Sequence, residues 1–289
     1  MLVGRRRFLR GAAVLGAAAA AGTLPAAAEA AQDQHPHPER VTFDLPGLDP
    51  AHDGLRIAQL SDVHVGPRTP PNLIRAAIET ANAFSPDLVV LTGDYVDRSR
   101  AEIEAMRPLL AGLAAPTIAI LGNHDVKVDP RGAAASLAAN GYEVLENAWT
   151  RVRLRGVPLT VVGVGDRRTG HEDVPTAVAG LPAGVSPLVL AHSPQTADRL
   201  RALGRPLVQL SGHTHGGQIN LPIVTRLLLA SIREPYARGR YDVGPVRLYV
   251  NRGVGMSGVS VRIDSPPEVT LATLRRRGHP GDGATTIAG

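Results

Sequence analysis

Cysteine is absent from all 289 residues. That excludes disulfides, thiolate zinc sites, a cysteine nucleophile and a lipid-modified N-terminal cysteine. Any metal must therefore be held by oxygen and imidazole ligands. Aromatic residues make up only 3% of the chain, so a core has to be built from Leu, Val, Ile and Ala. Lysine occurs once, at Lys127; beside the abundance of Arg, Ala, Gly and Pro, this reads as codon bias rather than function. Neither a Walker-type glycine loop nor a Gly-x-Ser-x-Gly elbow is present, which leaves nucleotide-driven motors and serine hydrolases without support. A basic surface is lacking as well. The net charge is +5, but four of those charges sit on Arg5, Arg6, Arg7 and Arg10, in a stretch 1–28 without a single acid. Nucleic-acid binding needs a basic patch on the folded domain, so no nucleic-acid partner is expected.

What is present is a globular composition, with 44% hydrophobic and 20% charged residues, long enough for one large domain. It is preceded by a leader. Arg5-Arg6-Arg7-Phe8-Leu9-Arg10 is followed by an Ala-rich run over 11–24 and by two small-x-small sites, Ala26-Ala27-Ala28 and Ala28-Glu29-Ala30. This is the order of an export signal, and the arginine pair followed by Phe-Leu resembles a twin-arginine signal. The apolar run is too short and too weakly apolar for a membrane span, so membrane contact is expected only if the leader stays uncleaved. The expected organisation is a signal peptide over 1–30, a Pro-containing linker over 31–40, one domain over 41–274 and a disordered, Gly-rich tail over 275–289. The protein is expected to be exported across the cytoplasmic membrane, to a secreted or cell-wall-associated location.

Strands are expected at 55–60, 88–91, 117–121, 151–154, 159–164, 188–191, 207–210, 236–241, 246–250, 259–263 and 269–274. Helices fall between many of them. Thr69-Pro70-Pro71 opens one whose apolar face is Leu73, Ile74, Ala77, Ile78 and Ala81. Ser99 and Glu102 form a capping box for a second, which Pro108 should kink. Asp129-Pro130 starts a third, and Asn140-Gly141 stops it. Strands alternating with helices imply an α/β core, and the hairpin-rich C-terminal third implies mixed sheets.

Acids and histidines gather just past strand ends. Asp62-Val63-His64, Gly93-Asp94, Gly122-Asn123-His124-Asp125, His192 and Gly212-His213-Thr214-His215 each follow an apolar strand. In open α/β sheets the crevice beyond the carboxyl ends of the strands binds ligands, so five groups spread over half the chain can meet there. In Asp-x-His and His-x-His two ligands lie two residues apart, on the same side of an extended segment. The glycines before Asp94, Asn123 and His213 remove bulk where the backbone must pass close to an ion. Taken singly, each motif could be a turn or a surface histidine; the ordered set is what points to metal.

These ordered motifs resemble the five motifs of the calcineurin-like metallophosphoesterase superfamily, and the leader with Arg252-Gly253-Val254-Gly255 and Pro267-Glu268 resembles its exported bacterial branch. The resemblance implies a four-layer α/β/β/α sandwich with two mixed β-sheets and a central dinuclear site. It places Asp62, His64 and His215 on a first divalent ion, Asn123, His192 and His213 on a second, and Asp94 on both; Mn, Fe and Zn all suit these ligands. His124 is expected over the substrate phosphate, oriented by Asp125, as the catalytic pair. Two ions about 3.5–4 Å apart lower the pKa of a shared water, and the resulting hydroxide attacks phosphorus in line.

The expected activity is hydrolysis of a phosphomonoester or phosphodiester. The alternatives are a non-catalytic envelope protein that binds a phosphopolymer, and a pyrophosphatase acting on a lipid-linked nucleotide sugar. Gly253-Val254-Gly255-Met256-Ser257-Gly258 matches a dinucleotide-binding pattern, but a strand rather than a helix is expected after it, so a glycine-rich loop near the pocket is the better reading. Arg167, Arg168 and His171 follow a strand and could touch substrate, although a solvated loop is the better reading; His35, His37 and His279 read as incidental.

Overall fold

The computed structural model describes residues 35–220 and 234–276; the expected leader and the tail beyond residue 276 lie outside them. In chain order the main elements are β1 (His37–Asp44), β2 (Leu55–Leu60), α1 (Pro71–Ala83), β3 (Leu88–Leu91), α2 (Arg100–Leu109), β4 (Thr117–Ala119), α3 (Asn123–Val128), α4 (Pro130–Ala138), β5 (Glu143–Val144), β6 (Ala148–Leu154), β7 (Val157–Val164), α5 (Val174–Ala177), β8 (Leu188–Ala191), α6 (Ala197–Leu200), β9 (Leu207–Ser211), β10 (Gly239–Val243), β11 (Val246–Val250) and β12 (Glu268–Arg275). They form two six-stranded sheets, ordered β1-β12-β2-β3-β4-β5 and β10-β11-β9-β8-β7-β6. Both are mixed: β2, β3, β4 and β5 run parallel, as do β7, β8, β9 and β11, while β12 against β2, β6 against β7 and β10 against β11 are antiparallel.

The layering follows from the two-residue period of buried strands. In β3, Leu88 and Val90 face the second sheet while Val89 and Leu91 face α1 and α2. In β8, Leu188 and Leu190 face the first sheet while Val189 and Ala191 face the helical layer that contains α6. Three apolar clusters result, one between the sheets and one outside each. Three interfaces make four layers, which is the α/β/β/α sandwich.

Local chemistry sets the helices. Leu73, Ile74, Ala77, Ile78 and Ala81 are the buried face of α1. Glu102 turns its carboxylate back on the amides of Asp97, Arg98 and Ser99, at 2.7–3.0 Å. Pro108 lies in the last turn of α2, which runs on only to Leu109. The Asp129 carboxylate caps α4 by accepting from Gly132 N.

Three expectations need correction. The linker assigned to 31–40 gives way at His37 to an edge strand, because β12 offers a parallel partner from Glu268 onward. Arg275, placed in the tail, closes that strand. Residues 259–263 do not form a strand: Val259 is 42% exposed, and only Ile263 makes a bridge, to Ile219. The alternation there has another cause, since Arg262 points inward to bond the carbonyls of Arg252, Gly253, Gly255 and Ser265.

At the end of the sandwich away from the clustered loops, side chains of His52 and Arg155 join the sheets, the first through a 3.1 Å contact of Nε2 with Leu154 O. Arg155, in the β6–β7 hairpin, grips both oxygens of Asp87 ahead of β3, at 2.7 and 3.0 Å, and donates to the carbonyls of Asp53 and Gly54. A bidentate guanidinium–carboxylate pair fixes geometry as well as energy. Replacing Arg155 by Ala is expected to destabilise the fold by about 1–2 kcal/mol, a charged hydrogen bond discounted for partial exposure. Urea unfolding should show a lower midpoint with an unchanged slope.

Candidate metal centre

The loops after β2, β3, β4, β8 and β9 converge beyond the carboxyl ends of the parallel strands, and the sequence-derived ligand residues meet there. Three groups bring their ligand atoms within 4.8 Å of one another: Asp62, His64 and His215; Asp94, His192 and His213; and His64, Asp97 and His124. The first two are made wholly of sequence-derived ligand residues. In the first, His64 Nε2 lies 3.0 Å from His215 Nε2, which is 3.5 Å from Asp62 Oδ1. In the second, His192 Nε2 lies 3.2 Å from both His213 Nδ1 and Asp94 Oδ2. The groups share an edge, because Asp94 Oδ2 is also 3.8 Å from His64 Nε2. Its other oxygen is occupied, accepting from His124 N at 2.7 Å.

The backbone pays for this convergence. Asp62, His64, Asp94, His213 and His215 all have left-handed φ, between 45° and 77°. Such a conformation costs an L-residue roughly 1–2 kcal/mol and concentrates at functional sites. Steric clearance is supplied by glycine, but against other ligands rather than an ion. A Cβ on Gly122 would strike the Asp94 carboxylate, and one on Gly212 would strike Ser61 and Asp62.

Each imidazole has a defined outer contact. His192 Nδ1 donates to Thr92 O at 2.8 Å, which aims Nε2 at the cluster. His124 Nδ1 contacts Asp97 O at 2.6 Å, so Nε2 faces the pocket. Here the expected role of Asp125 is corrected. Its carboxylate accepts from the amides of Asp94, Tyr95, Val96 and Gly122 at 2.8–3.2 Å. It therefore clamps the Asp94 loop to the β4 loop instead of orienting the His124 ring, and the Asp97 carbonyl does the orienting. Asp97 was not legible as a site residue, since it reaches His124 through its main chain. Arg68 holds its carboxylate at 2.5 Å.

The electrostatics favour ligation. Burial drives His64 down to about 4 and holds His213 and His215 well below the usual imidazole range, so these three offer lone pairs at neutral pH. Burial raises Asp62 to about 6. Burial also raises Asp125 to about 7, with the charge of Asp94 adding to it. His192 and Asp94 form an ion pair: burial opposes both charges, yet each stabilises the other, lifting His192 to about 10 and keeping Asp94 well below the carboxylate range.

The donor set fits a divalent cation. The Asn123 side-chain amide lies 2.9 Å from His213 Nδ1 at one end and 3.2 and 3.1 Å from Lys127 Nζ and His124 N at the other. It adds an amide oxygen to the clustered carboxylates and imidazoles, and oxygen with imidazole is the donor set of Mn, Fe and Zn.

A cavity of about 220 Å³ opens onto the cluster, lined by Asp94, Asn123, His124, Lys127, Arg168, His213, His215 and Ser257. Arg168 and Lys127 are therefore pocket residues, against their reading as a solvated loop and a compositional accident. Gly253 and Gly255 come from the glycine-rich loop and pack on Asp62 and Val63, which matches the loop reading of that motif.

Comparison with known proteins agrees with this geometry. Residues 55–217 match the family described as calcineurin-like phosphoesterase. An uncharacterized metallophosphoesterase of Bacillus subtilis, YkuE, is 32% identical over 94% of this chain and 97% of its own length. Phosphodiesterase YaeI of Escherichia coli is 35% identical over 76% of this chain and 82% of its own. UDP-2,3-diacylglucosamine pyrophosphatase LpxG of Chlamydia trachomatis is 29% identical over 80% of this chain and 87% of its own. With a family match over more than half its length, and over the segment that carries Asp62 through His215, the chain belongs to the calcineurin-like phosphoesterases.

Proposed function

We propose that this protein hydrolyses phosphoesters with two divalent ions, Mn, Fe or Zn, held by Asp62, His64 and His215 on one side, by Asn123, His192 and His213 on the other, and by Asp94 between them. The supporting observation is the position of Asp94 Oδ2, 3.2 Å from a nitrogen of one group and 3.8 Å from a nitrogen of the other. Bound there, such ions lower the pKa of a shared water and take up charge on the phosphoryl oxygens.

The protein's own groups do the rest. Asp62 and Asp94 contribute two negative charges and the remaining ligands are neutral, so the loaded site stays cationic and attracts a phosphate. His124, with Nδ1 fixed on the Asp97 carbonyl, presents Nε2 to the cavity and there holds a proton for the departing oxygen. Asp125 keeps the Asp94 and Asn123 loops in register. A purely binding role for the site has less support, because binding alone gives no reason to hold a proton-carrying imidazole at the cavity wall.

The leader supports a further proposal, export by a twin-arginine route. N-terminal sequencing of the mature protein from fractionated cells is expected to begin after Ala28 or Ala30. An intact N-terminus on protein that stays in the cytoplasm would refute export.

Removing the catalytic groups should separate chemistry from loading. His124→Ala is expected to lower kcat on bis-p-nitrophenyl phosphate about 10²–10⁴-fold with metal content retained. Asp94→Asn should lose both activity and metal, read by mass spectrometry on the same samples. Full activity in both variants would end the assignment. Loading should also release protons. His192 is charged up to about pH 10, and a ligand nitrogen must be neutral. Metal affinity is thus expected to rise with pH across 6–9. Calorimetry in buffers of different ionisation enthalpy should show about one proton released at neutral pH.

A further inference from the structure

Two cations flank the candidate metal centre, both on the side of Asn123 and His213. Lys127, the only lysine of the chain, approaches the Asn123 amide at 3.2 Å. Arg168 Nη1 lies 3.0 Å from His213 Nε2 and 3.6 Å from Glu234 Oε1, and the Arg168 side chain is 46% exposed. Its neighbour is engaged elsewhere: Arg167 bonds Gln195 and Glu172, at 3.1 and 3.0 Å. Only the second arginine of the pair reaches the cavity, and it shares that wall with Lys127.

Both contacts change character if the ligand roles proposed above hold. With Nδ1 of His213 turned to a cation, Nε2 carries the ring proton. As a donor it faces Glu234 at 3.8 Å and offers Arg168 nothing. With the Asn123 oxygen turned the same way, its NH2 group faces the Lys127 ammonium, one donor against another. Lys127 is thereby directed away from Asn123, and Arg168, left with Glu234 alone at 3.6 Å, keeps a partly exposed guanidinium on the wall of the same cavity of about 220 Å³. That is more volume and more positive charge than one phosphoryl group requires at a site already cationic.

We infer that Lys127 and Arg168 form an anion subsite, so that the preferred substrate carries a second anionic group, a phosphate or a carboxylate, close to the scissile phosphate. This rests on the phosphoesterase reading and narrows its substrate class. A bis-anion would span the centre and this subsite, whereas a simple diester would use the centre alone. Charged side chains that meet a charged group in a partly enclosed site give strong, directional hydrogen bonds.

The test uses three probes that cannot be hydrolysed. Methylphosphonate has one anionic group, phosphonoacetate adds a carboxylate, and methylenediphosphonate adds a second phosphonate. Each is titrated calorimetrically into the Mn²⁺-loaded protein and into the Lys127→Gln, Arg168→Gln and double variants. The full protein is expected to bind at least one bis-anion about tenfold or more tightly than methylphosphonate; which one it prefers tells phosphate from carboxylate. The double variant should lose that preference, falling to within about threefold, and each single variant should lose part of it. Metal chelation by the probes is common to all the proteins, so a preference that survives in the double variant would overturn the inference. So would equal binding of all three probes by the full protein. Turnover of bis-p-nitrophenyl phosphate by the same full-length sample decides the underlying reading separately. Its absence would sink the phosphoesterase, while turnover without anion preference would sink only the subsite. Unfolding curves confirm that the variants remain folded.

Discussion

The site depends on one carboxylate whose two oxygens have separate duties. Asp94 Oδ1 is bound by the His124 amide, and Oδ2 is left between His192 and His64. A carboxylate free to rotate could serve one neighbour or the other. Pinned by the amide, it presents the same oxygen to both groups of ligands. Its charge also dictates the protonation pattern. One histidine beside it is held as a cation, while burial keeps the other three ligating imidazoles neutral. An unpaired carboxylate at this depth would be costly. A proton on His192 meets that cost.

Holding that carboxylate in position requires strain, and the strain is contained by the sandwich. Five of the clustered residues sit in the left-handed region, which a lone loop would abandon. Here the loops cannot relax independently. The four amide bonds of Asp125 tie the β3 loop to the β4 loop, and Asp62 ties the β2 loop to the β9 loop through its contacts with His213 N at 2.9 and 3.0 Å. The second of these ties joins the two sheets. The sheets themselves are fixed at the far end by Arg155, so the rigidity available to the site comes from packing and pairing remote from it.

Much of this was legible in the sequence, for an identifiable reason. A buried parallel strand is a short run of apolar residues, so its end is marked wherever polarity returns. Leu88 to Leu91 followed by Gly93-Asp94 shows the pattern, and so does Leu188 to Ala191 followed by His192. The clustered acids and histidines, the α1 face and the α4 cap could all be placed from such local patterns. What escaped was whatever acts through main chain or through distant pairing. The Asp97 carbonyl that holds His124 leaves no mark in a side-chain pattern. The two-residue strand β5 is too short for any periodicity. The first half of β1, residues 37–40, read as linker because of Pro36 and Pro38, is a strand because β12, more than two hundred residues away, pairs with it. Residues 259–263 alternate as a strand would, but the alternation reflects a single arginine turned inward.

That arginine also explains the glycine-rich segment that imitates a dinucleotide fingerprint. In the nucleotide-binding motif, glycines let a backbone approach a pyrophosphate at a helix N-terminus. Here Gly253 and Gly255 let a loop approach protein: a Cβ on the first would meet the Asp62 side chain and one on the second the Val63 carbonyl. Amides of the same loop donate to Ser61 O and Asp62 O at 3.0 and 2.7 Å, so the loop braces the turn that carries two of the ligands. The Arg262 guanidinium collects the carbonyls left over on the other side, and the Arg252 side chain pairs with Glu268 at 2.8 Å. Close backbone approach is common to the two uses of the motif. The segment after the last glycine makes the difference: a helix there leaves the space open for a ligand, whereas an inward arginine fills it with the protein itself.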